Sequence, residues 1–383
     1  MFVKKWPAKF VDVQKAADDA LMEQAERLAT QMEPDVAKAV LAFLQAQGDQ
    51  LDLEALVKAL KEGDVDAVLA LVANASSAAA ASAGVGVAAS LQNAAWAGGT
   101  MSAGAPVLRE VQFVFNRLNP ELVNWLRDYD LGMIQNISNQ TKEAVRGVLK
   151  AGMEAGKGPM QQASQIKEVI GLTPGQANAV ANFRKELETF HLKRSAAGWQ
   201  LGGKPDQVNG HSVFKPTASG APADGMTDRR LRDLRYDGQL QRALATRKPL
   251  KPEQIDKMVG AYRRKYILYR ARTIARTESL RATNVGVQEA WRQAVVTGKV
   301  AEDLIRRFWI ITADERVCPI CRPIPHMNKG GVKLSEDFDT PDGPVTMGPL
   351  HVTCRCTIFI RTLEPGEITF KPGLPSALGR TLY

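Results

Sequence analysis

The alternation of apolar and polar residues predicts helices over most of the chain. In residues 12–46, apolar side chains recur at every third or fourth position, the spacing of one helix face, with a break expected at Pro34. The same spacing returns in residues 52–71, where Gly63 and Asp64 predict the end of one helix and the start of the next. These segments are typical of antiparallel helices in a small bundle.

An apolar stretch follows at residues 65–104, but it consists mostly of alanine, glycine and serine. Because it offers few large side chains that would favour insertion into a bilayer, we expect a helical region rather than a membrane span. Residues 106–116 have some strand character, and Pro120 stands where a helix can begin. A long amphipathic helix is predicted at residues 131–156.

Helical signals continue through the middle of the chain. Residues 161–170 predict a short helix that ends at Gly171, and Thr173 followed by Pro174 predicts the N-cap and first turn of the next helix. Glycine and proline are then concentrated in residues 202–225, which show no periodicity. This composition predicts a linker, or a loop made rigid by a partner.

The remaining segments combine helices with two strands. Helices are predicted at residues 228–244 and from Pro252 towards Trp291, and strands at residues 308–312 and 351–360. The predicted fold class is therefore mainly α, with a helical N-terminal region followed by a small α+β module. The predicted domains are 1–105 (helical, Ala-rich), 106–200 (helical), 201–227 (Gly/Pro-rich linker), 228–363 (the module that holds a metal) and 364–383 (an extended C-terminal arm).

All four cysteines cluster near the end of this 383-residue chain, in the pattern Cys318-x-x-Cys321 … His351-x-x-Cys354-x-Cys356. A C-x-x-C turn directs two sulfurs at one point, and a second ligand pair about thirty residues later can complete a tetrahedron around zinc. Five candidate donors compete for four positions. The ligand set is either the four cysteines or His351 with three of them, and the sequence leaves both open. Because protein donors can fill every position, we expect a structural Zn²⁺ site.

Other uses of these residues are less consistent with the sequence. Disulfides would require an oxidising compartment, and residues 1–10 lack the apolar stretch of an export signal. A reactive thiol would need a Cys/His/Asn arrangement that is not recognisable. His326, with Asn328 and His351, could mimic a zinc-dependent nuclease, but a hydrolase needs an open metal position and a positioned base. We therefore expect no catalytic residues and no enzyme.

The surroundings of the cysteines form an ordered series of motifs. An Ala-Arg-Thr-Glu helix precedes a strand that contains tryptophan, and Asp-x-x-x-Cys-x-x-Cys, a variable loop and His-x-x-Cys-Arg-Cys follow. This order, at residues 271–361, resembles the phage Mu F-like head morphogenesis (minor head protein) family. A weaker likeness lies upstream, where Asn-Trp-Leu-Arg at 124–127 precedes residues 170–176. Val352 follows His351 where relatives usually have proline, which changes a turn preference and leaves the ligands intact.

The resemblance implies a minor capsid protein of a tailed phage that acts in head assembly or genome delivery. It implies contacts with the portal protein and the major capsid protein, oligomers around the portal, and no membrane partner. The implied location is the virion, in the head interior or at the portal vertex, and the host cytoplasm during assembly. A DNA-binding ejection protein is the first alternative, and a zinc-dependent nuclease or other toxin-like enzyme is the weaker one.

Three polar residues are expected to support the metal loop. Arg276 and Glu278 point to different faces of their helix and cannot form an i,i+4 pair. One of them could orient a ligand, or both could lock the helix onto the small sheet. Asp314 lies in the turn that delivers Cys318 and is assigned the same supporting role.

The positive charge is concentrated in one segment. Residues 229–281 contain sixteen Lys/Arg and five Asp/Glu, a balance of +11, so the rest of the +9 chain carries about −2. Such a segment is typical of a surface that faces double-stranded DNA or an acidic protein, and the sequence does not choose between them. The candidate contact residues, expected to be exposed, are Arg229, Arg230, Arg232, Arg263, Arg264, Lys265 and Arg270.

Overall fold

The computed structural model describes the backbone of residues 8–193, 206–208, 211–213, 231–311, 317–352 and 354–363. Within these ranges, side chains are described for residue 24 and from residue 27 onward, except in residues 206–213. The described part of the chain is mostly helical, with a small two-stranded sheet near the C-terminus. The predicted mainly helical fold with C-terminal strands is therefore confirmed.

Helices make up most of the secondary structure, and short strands occur in the second half of the chain. The helices are α1 (Ala8–Asp49), α2 (Leu53–Glu62), α3 (Val65–Ala79), α4 (Val85–Ala103), α5 (Pro106–Glu110), α6 (Pro120–Glu154), α7 (Pro159–Val169), α8 (Pro174–Glu188), α9 (Asp237–Thr246), α10 (Pro252–Val296) and α11 (Ile324–Met327). A π-helical turn, Ala80–Gly84, joins α3 to α4. The strands are β1 (Asp206–Val208), β2 (His211–Val213), β3 (Ile305–Ile310) and β4 (Thr357–Thr362). β1 pairs antiparallel with β2, and β3 with β4.

The chain divides into two compact units, each assembled from separate segments. The first unit comprises Met1–Val36, Ala88–Asp128 and Thr273–Tyr383, and the second comprises Ala37–Val87 and Tyr129–Arg272. The four longest helices, α1, α4, α6 and α10, each contribute residues to both units. The contiguous domains expected from the sequence remain a prediction.

In the second unit, side-chain caps fix where helices begin and end. Asp52 accepts hydrogen bonds from the backbone N–H groups of Glu54 and Ala55, both 3.0 Å, at the start of α2. Gly63 ends that helix with φ +69°, a conformation that glycine adopts without steric cost, and Asp64 caps α3. The predicted break at these two residues is confirmed.

The second unit also contains the N-cap predicted in the middle of the chain. Thr173 and Gln176 form a capping box at the start of α8, with Pro174 in the first turn. Apolar side chains from α1, α2, α3, α6, α7, α8 and α10 form the core of this unit. Its buried members include Phe43, Leu44, Leu56, Val72, Val145, Ile166, Phe183 and Tyr262.

The first unit contains a backbone-to-backbone contact between α4 and α10. A Cβ atom added at Gly286 would lie 1.8 Å from the carbonyl oxygen of Ala95, and one added at Gly98 would lie 2.1 Å from that of Thr283. Only glycine permits this approach. The hydrophobic core beside it includes Leu108, Trp291, Ile305, Trp309, Ile324, Phe338, Ile358 and Ile360.

Several element predictions were wrong in detail. Pro34 lies inside α1 and does not end it. Residues 106–116 form no strand, because Pro106 occupies the first turn of the short helix α5. The strands predicted at residues 308–312 and 351–360 are β3, which begins at Ile305, and β4, which begins at Thr357. Among the described residues, the helix predicted at 228–244 is α9, which begins at Asp237.

One helical segment within the described residues, Val65–Ala103, is long and apolar enough to cross a bilayer by length and composition. A third of its most apolar window, 33%, is buried within the protein. The core helix of a soluble protein meets the same criterion, so this finding is weak support for membrane contact.

Candidate metal centre

The first two donors lie on the turn that precedes α11. Cys318 accepts a hydrogen bond from the backbone N–H of Cys321 at 3.2 Å, so the C-x-x-C turn folds back on itself and directs both sulfurs to one side. The Cys321 side chain is only 1% exposed, whereas that of Cys318 is partly exposed. The short helix that follows begins at Ile324, which is fully buried and anchors the turn to the core.

The other donors lie on the turn that leads into β4. The backbone N–H of Cys354 donates to the carbonyl oxygen of His351 at 3.0 Å, and Cys356 immediately precedes the strand. The Nδ1 atom of His351 lies 3.0 Å from the carbonyl oxygen of Val352. A proton on Nδ1 makes this contact a hydrogen bond, and it leaves Nε2 as the atom that faces the cysteines.

The structure brings all five donors together as two overlapping triads. One contains Cys318, Cys321 and His351, the other Cys321, Cys354 and Cys356, and in each the donor atoms lie within 4.8 Å of one another. Cys321 belongs to both. The cluster could therefore bind a metal ion.

Three separations between donor atoms are close to those of a tetrahedral zinc site. Bond lengths of about 2.3 Å to sulfur and 2.0–2.1 Å to nitrogen place two sulfurs about 3.8 Å apart, and a sulfur and a nitrogen about 3.5 Å apart. The Cys321 and Cys354 sulfurs are 3.7 Å apart, and the Cys321 sulfur lies 3.4 Å from His351 Nε2. The Cys318 sulfur is closer to that nitrogen, at 3.0 Å. The donor chemistry and spacing thus fit the ion predicted from the sequence.

The thiols differ in their tendency to ionise. The hydrogen bond with the Cys356 side chain, together with backbone N–H groups, lowers the pKa of Cys354 to about 5. The same contact raises the pKa of Cys356, and burial raises that of Cys321. Burial opposes ionisation of Cys318, but the N–H of Cys321 and other contacts hold its pKa below the usual value. Cys354 and Cys318 are therefore the cysteines that lose their protons most readily.

Helix α10 holds the half of the site that carries His351, Cys354 and Cys356. Nη2 of Arg281 donates to the carbonyl oxygen of Pro349 at 2.6 Å, and Nδ2 of Asn284 donates to that of Gly348 at 3.0 Å. The Oδ1 atom of Asn284 also accepts from the Thr357 hydroxyl at 2.6 Å. One amide that is 1% exposed thus connects the residues before His351 with the strand after Cys356.

A fully buried arginine organises the loop between the two half-sites. Arg307, on β3, donates to the backbone oxygens of Lys333, Thr346 and Glu336 and to the side-chain oxygen of Gln288. Its guanidinium also lies 5.0 Å from the ring centre of Phe338. Burial lowers its pKa to about 10. Arg281, Asn284 and Arg307 were not predicted, and a polar residue inside an otherwise buried element was the only sequence signal for them.

The predicted supporting residues occupy different environments. Arg276 is exposed on α10, whereas Glu278 is buried and pairs with Arg281 at 3.3 Å. Glu278 therefore contacts Arg281, and Arg281 in turn donates to the carbonyl oxygen of Pro349 in the loop before His351. Asp314 lies outside the described residues.

The basic residues do not form one exposed surface, contrary to the expectation from the sequence. Arg232 and Arg270 are each 3% exposed: Arg232 pairs with Asp237 at 2.9 Å, and Arg270 donates to the carbonyl oxygen of Gly171 at 2.7 Å. Arg263 is half-buried. The exposed members among the described residues are Arg264 and Lys265. Arg229 and Arg230 lie outside the described residues.

The residues considered for a nuclease, His326 and Asn328, occupy different environments. His326 is exposed. Asn328 is buried. Its side-chain amide donates to the carbonyl oxygens of Ile324 and Asp339 and accepts from the backbone N–H of Asp339, so it holds the loop after α11 closed.

Comparisons with protein-family models, with curated proteins and with solved structures found no match to this chain.

Proposed function

We propose that the five-donor cluster holds one structural Zn²⁺ ion. The observation that carries this proposal is the convergence of donors from two chain segments, before α11 and before β4, into two triads that share Cys321. The separations of its sulfur from His351 Nε2 and from the Cys354 sulfur are close to those of a tetrahedral site. Zinc binding contributes on the order of 10 kcal/mol in small sites. That is enough to keep a loop rich in glycine and proline folded onto two strands and one helix.

Within this cluster we propose Cys318, Cys321, His351 and Cys354 as the ligands. The three short donor–donor separations connect these four residues in a chain. Cys356 then remains a thiol that donates its S–H to Cys354, the role that a supporting residue takes at metal sites. Four protein ligands leave no open position for water, which favours a structural over a catalytic ion.

We further propose that the chain is a minor capsid protein of a tailed phage that acts in head assembly or genome delivery. The order of motifs at residues 271–361 supports this proposal. The portal protein and the major capsid protein are the proposed partners, in the virion and in the host cytoplasm during assembly. The DNA-binding alternative gains no support from the described arginines, since two of them are buried.

The ligand set is tested by elemental analysis of purified variants. We expect one zinc per chain in the natural protein, and none in Cys321→Ser, because Cys321 belongs to both triads. Cys356→Ser should retain zinc, and His351→Ala should lose most of it. Retention in His351→Ala together with loss in Cys356→Ser would replace the proposed set with the four cysteines. Absence of metal from the natural protein would reject the zinc site.

The proposed role is tested on particles of the phage or prophage that encodes the chain. We expect mass spectrometry of gradient-purified heads to detect the protein at a fixed ratio to the portal protein. We expect Cys321→Ser to lower that ratio, whereas Cys356→Ser should leave it unchanged. A natural protein that is absent from heads would refute the capsid role without affecting the assignment of the metal site.

A further inference from the structure

A cavity of about 180 Å³ opens in the first unit between the loop that follows α5 and the last turns of α10, and none of the metal donors lines it. Pockets for drug-sized ligands have volumes of about 300–1,000 Å³. This cavity is therefore too small for a nucleotide, and it matches a single side chain or a small aliphatic molecule.

Two exposed valines lie at the opening. Val114 is 83% exposed and Val296 is 80% exposed, and both line the cavity together with the buried ring of Phe113. An aliphatic chain that entered here would bury its own apolar surface together with that of the two valines. The walls therefore favour a ligand with methylene groups next to its polar end.

The polar wall has a net negative charge. Glu289 is only 6% exposed, and its Oε1 accepts a hydrogen bond from Nε2 of Gln293 at 3.1 Å. Its other oxygen lies 4.0 Å from Nε of Arg292, beyond hydrogen-bonding distance. Arg292 donates instead to Glu121 at 3.0 Å. Two carboxylates thus face one guanidinium, and burial raises the pKa of Glu289 because its charge is poorly solvated.

The wall is also fixed in position. The side chain of Gln293 accepts from the backbone N–H of Asn116 at 2.8 Å and donates to its carbonyl oxygen at 3.0 Å. This pair of bonds connects the loop after α5 to α10 and holds the cavity open between them. A pre-formed site of this kind loses little entropy when a ligand binds.

We propose that this cavity binds an alkylammonium group, the end of a lysine side chain or of a polyamine. The ammonium group would donate to Oε2 of Glu289, and the methylene groups would contact Val114 and Val296. An anion is disfavoured, because the single guanidinium already pairs with Glu121. This inference rests neither on the metal site nor on the proposed role in phage heads.

The ligand class is tested by saturation-transfer NMR titration of the full-length protein as purified. The probes are Nα-acetyl-lysine N-methylamide, which represents a partner protein, and 1,4-diaminobutane, which represents a free polyamine. We expect saturable binding of at least one probe, and the tighter of the two identifies the source. Acetylation of the lysine ε-amine should weaken binding roughly tenfold or more, because a charge-assisted hydrogen bond is lost.

Three variants connect the binding to this cavity. Glu289→Gln keeps the size of the side chain and should weaken binding roughly tenfold or more. Val296→Trp adds bulk at a solvent-exposed position, so it should block entry without disturbing the core. Glu110→Gln, an exposed carboxylate of the same unit that does not line the cavity, should bind as the natural protein does. No saturable binding of either probe, or equal binding by Glu289→Gln and the natural protein, would overturn the proposal.

Discussion

Asp130 is a buried carboxyl group in α6 whose side-chain oxygen Oδ1 has no hydrogen-bond partner. Burial raises its pKa to about 6, from a value near 3.9 in an unfolded chain. The folded state therefore takes up a proton at a higher pH than the unfolded state. The ionised group destabilises the fold above pH 6, and this penalty disappears as the pH falls from about 6 towards 4.

We predict that Asp130→Asn stabilises the protein at pH 7.5 and has little effect at pH 4. The expected gain at pH 7.5 is about 1–2 kcal/mol, less than the full pKa shift implies, since nearby solvent screens part of the charge. Urea denaturation at the two pH values measures it. Asp128→Asn, an exposed neighbour on the same helix, should change stability little at either pH. A gain for Asp130→Asn of equal size at pH 4 would contradict the assigned cause.

At this scale the sequence predicts the donors better than the residues that position them. Cys318, Cys321 and His351 stand out because their types and spacing have few other uses. Asn284 and Arg307 do not stand out, because their roles depend on which backbone oxygens the loop turns towards them. The charge of Arg270 suggested exposure, yet α10 places it against the carbonyl oxygen of Gly171.

Among elements, the contact between α4 and α10 is the most sensitive to side-chain size. We predict that Gly286→Ala destabilises the protein by about 3 kcal/mol or more, because its new Cβ would lie 1.8 Å from the carbonyl oxygen of Ala95. Gly147→Ala is a matched control in α6, where the same change meets nothing within 4 Å. It should stabilise the protein by about 0.5–1 kcal/mol, since alanine loses less entropy in a helix.

Chemical denaturation of both variants tests this pair. The expected results have opposite signs, although the two substitutions are chemically identical. A small effect of Gly286→Ala would mean that α4 and α10 separate easily, and that their close contact is not needed for the fold.

The error at Pro34 arose because a local rule was applied where tertiary packing decides. Proline inside a helix costs about 3 kcal/mol through a lost hydrogen bond and a steric clash. In α1, Val36, Val40 and Phe43 are fully buried after Pro34, and their burial offsets that cost. The caps at Gly63 and Asp64 were predicted correctly, because a cap depends on one residue's own side chain or conformation and on backbone groups a few residues away.

At the scale of the whole molecule, the metal donors all belong to one unit. The cores of the two units are built from different segments, and the second unit contains none of the five donors. Helical periodicity predicted the individual helices but not this division, because each long helix contributes to both units. The effect of the metal on folding should therefore be concentrated in the first unit.

We predict that metal removal selectively weakens backbone protection in the first unit. After treatment with a zinc chelator and a reductant, amides in β3, β4 and the loop that follows α11 should exchange at least about a hundredfold faster, a loss of roughly 3 kcal/mol of local stability. Amides in α7 and α8 should exchange at unchanged rates, because their core includes Ile166 and Phe183 and none of the donors. Hydrogen exchange measured by mass spectrometry gives both results in one experiment.

The same chelator saturated with zinc beforehand is the control, and it should leave the exchange rates of every region unchanged. Unchanged exchange around β3 and β4 after verified metal loss would show that Arg307, Asn284 and the apolar core hold this region without an ion.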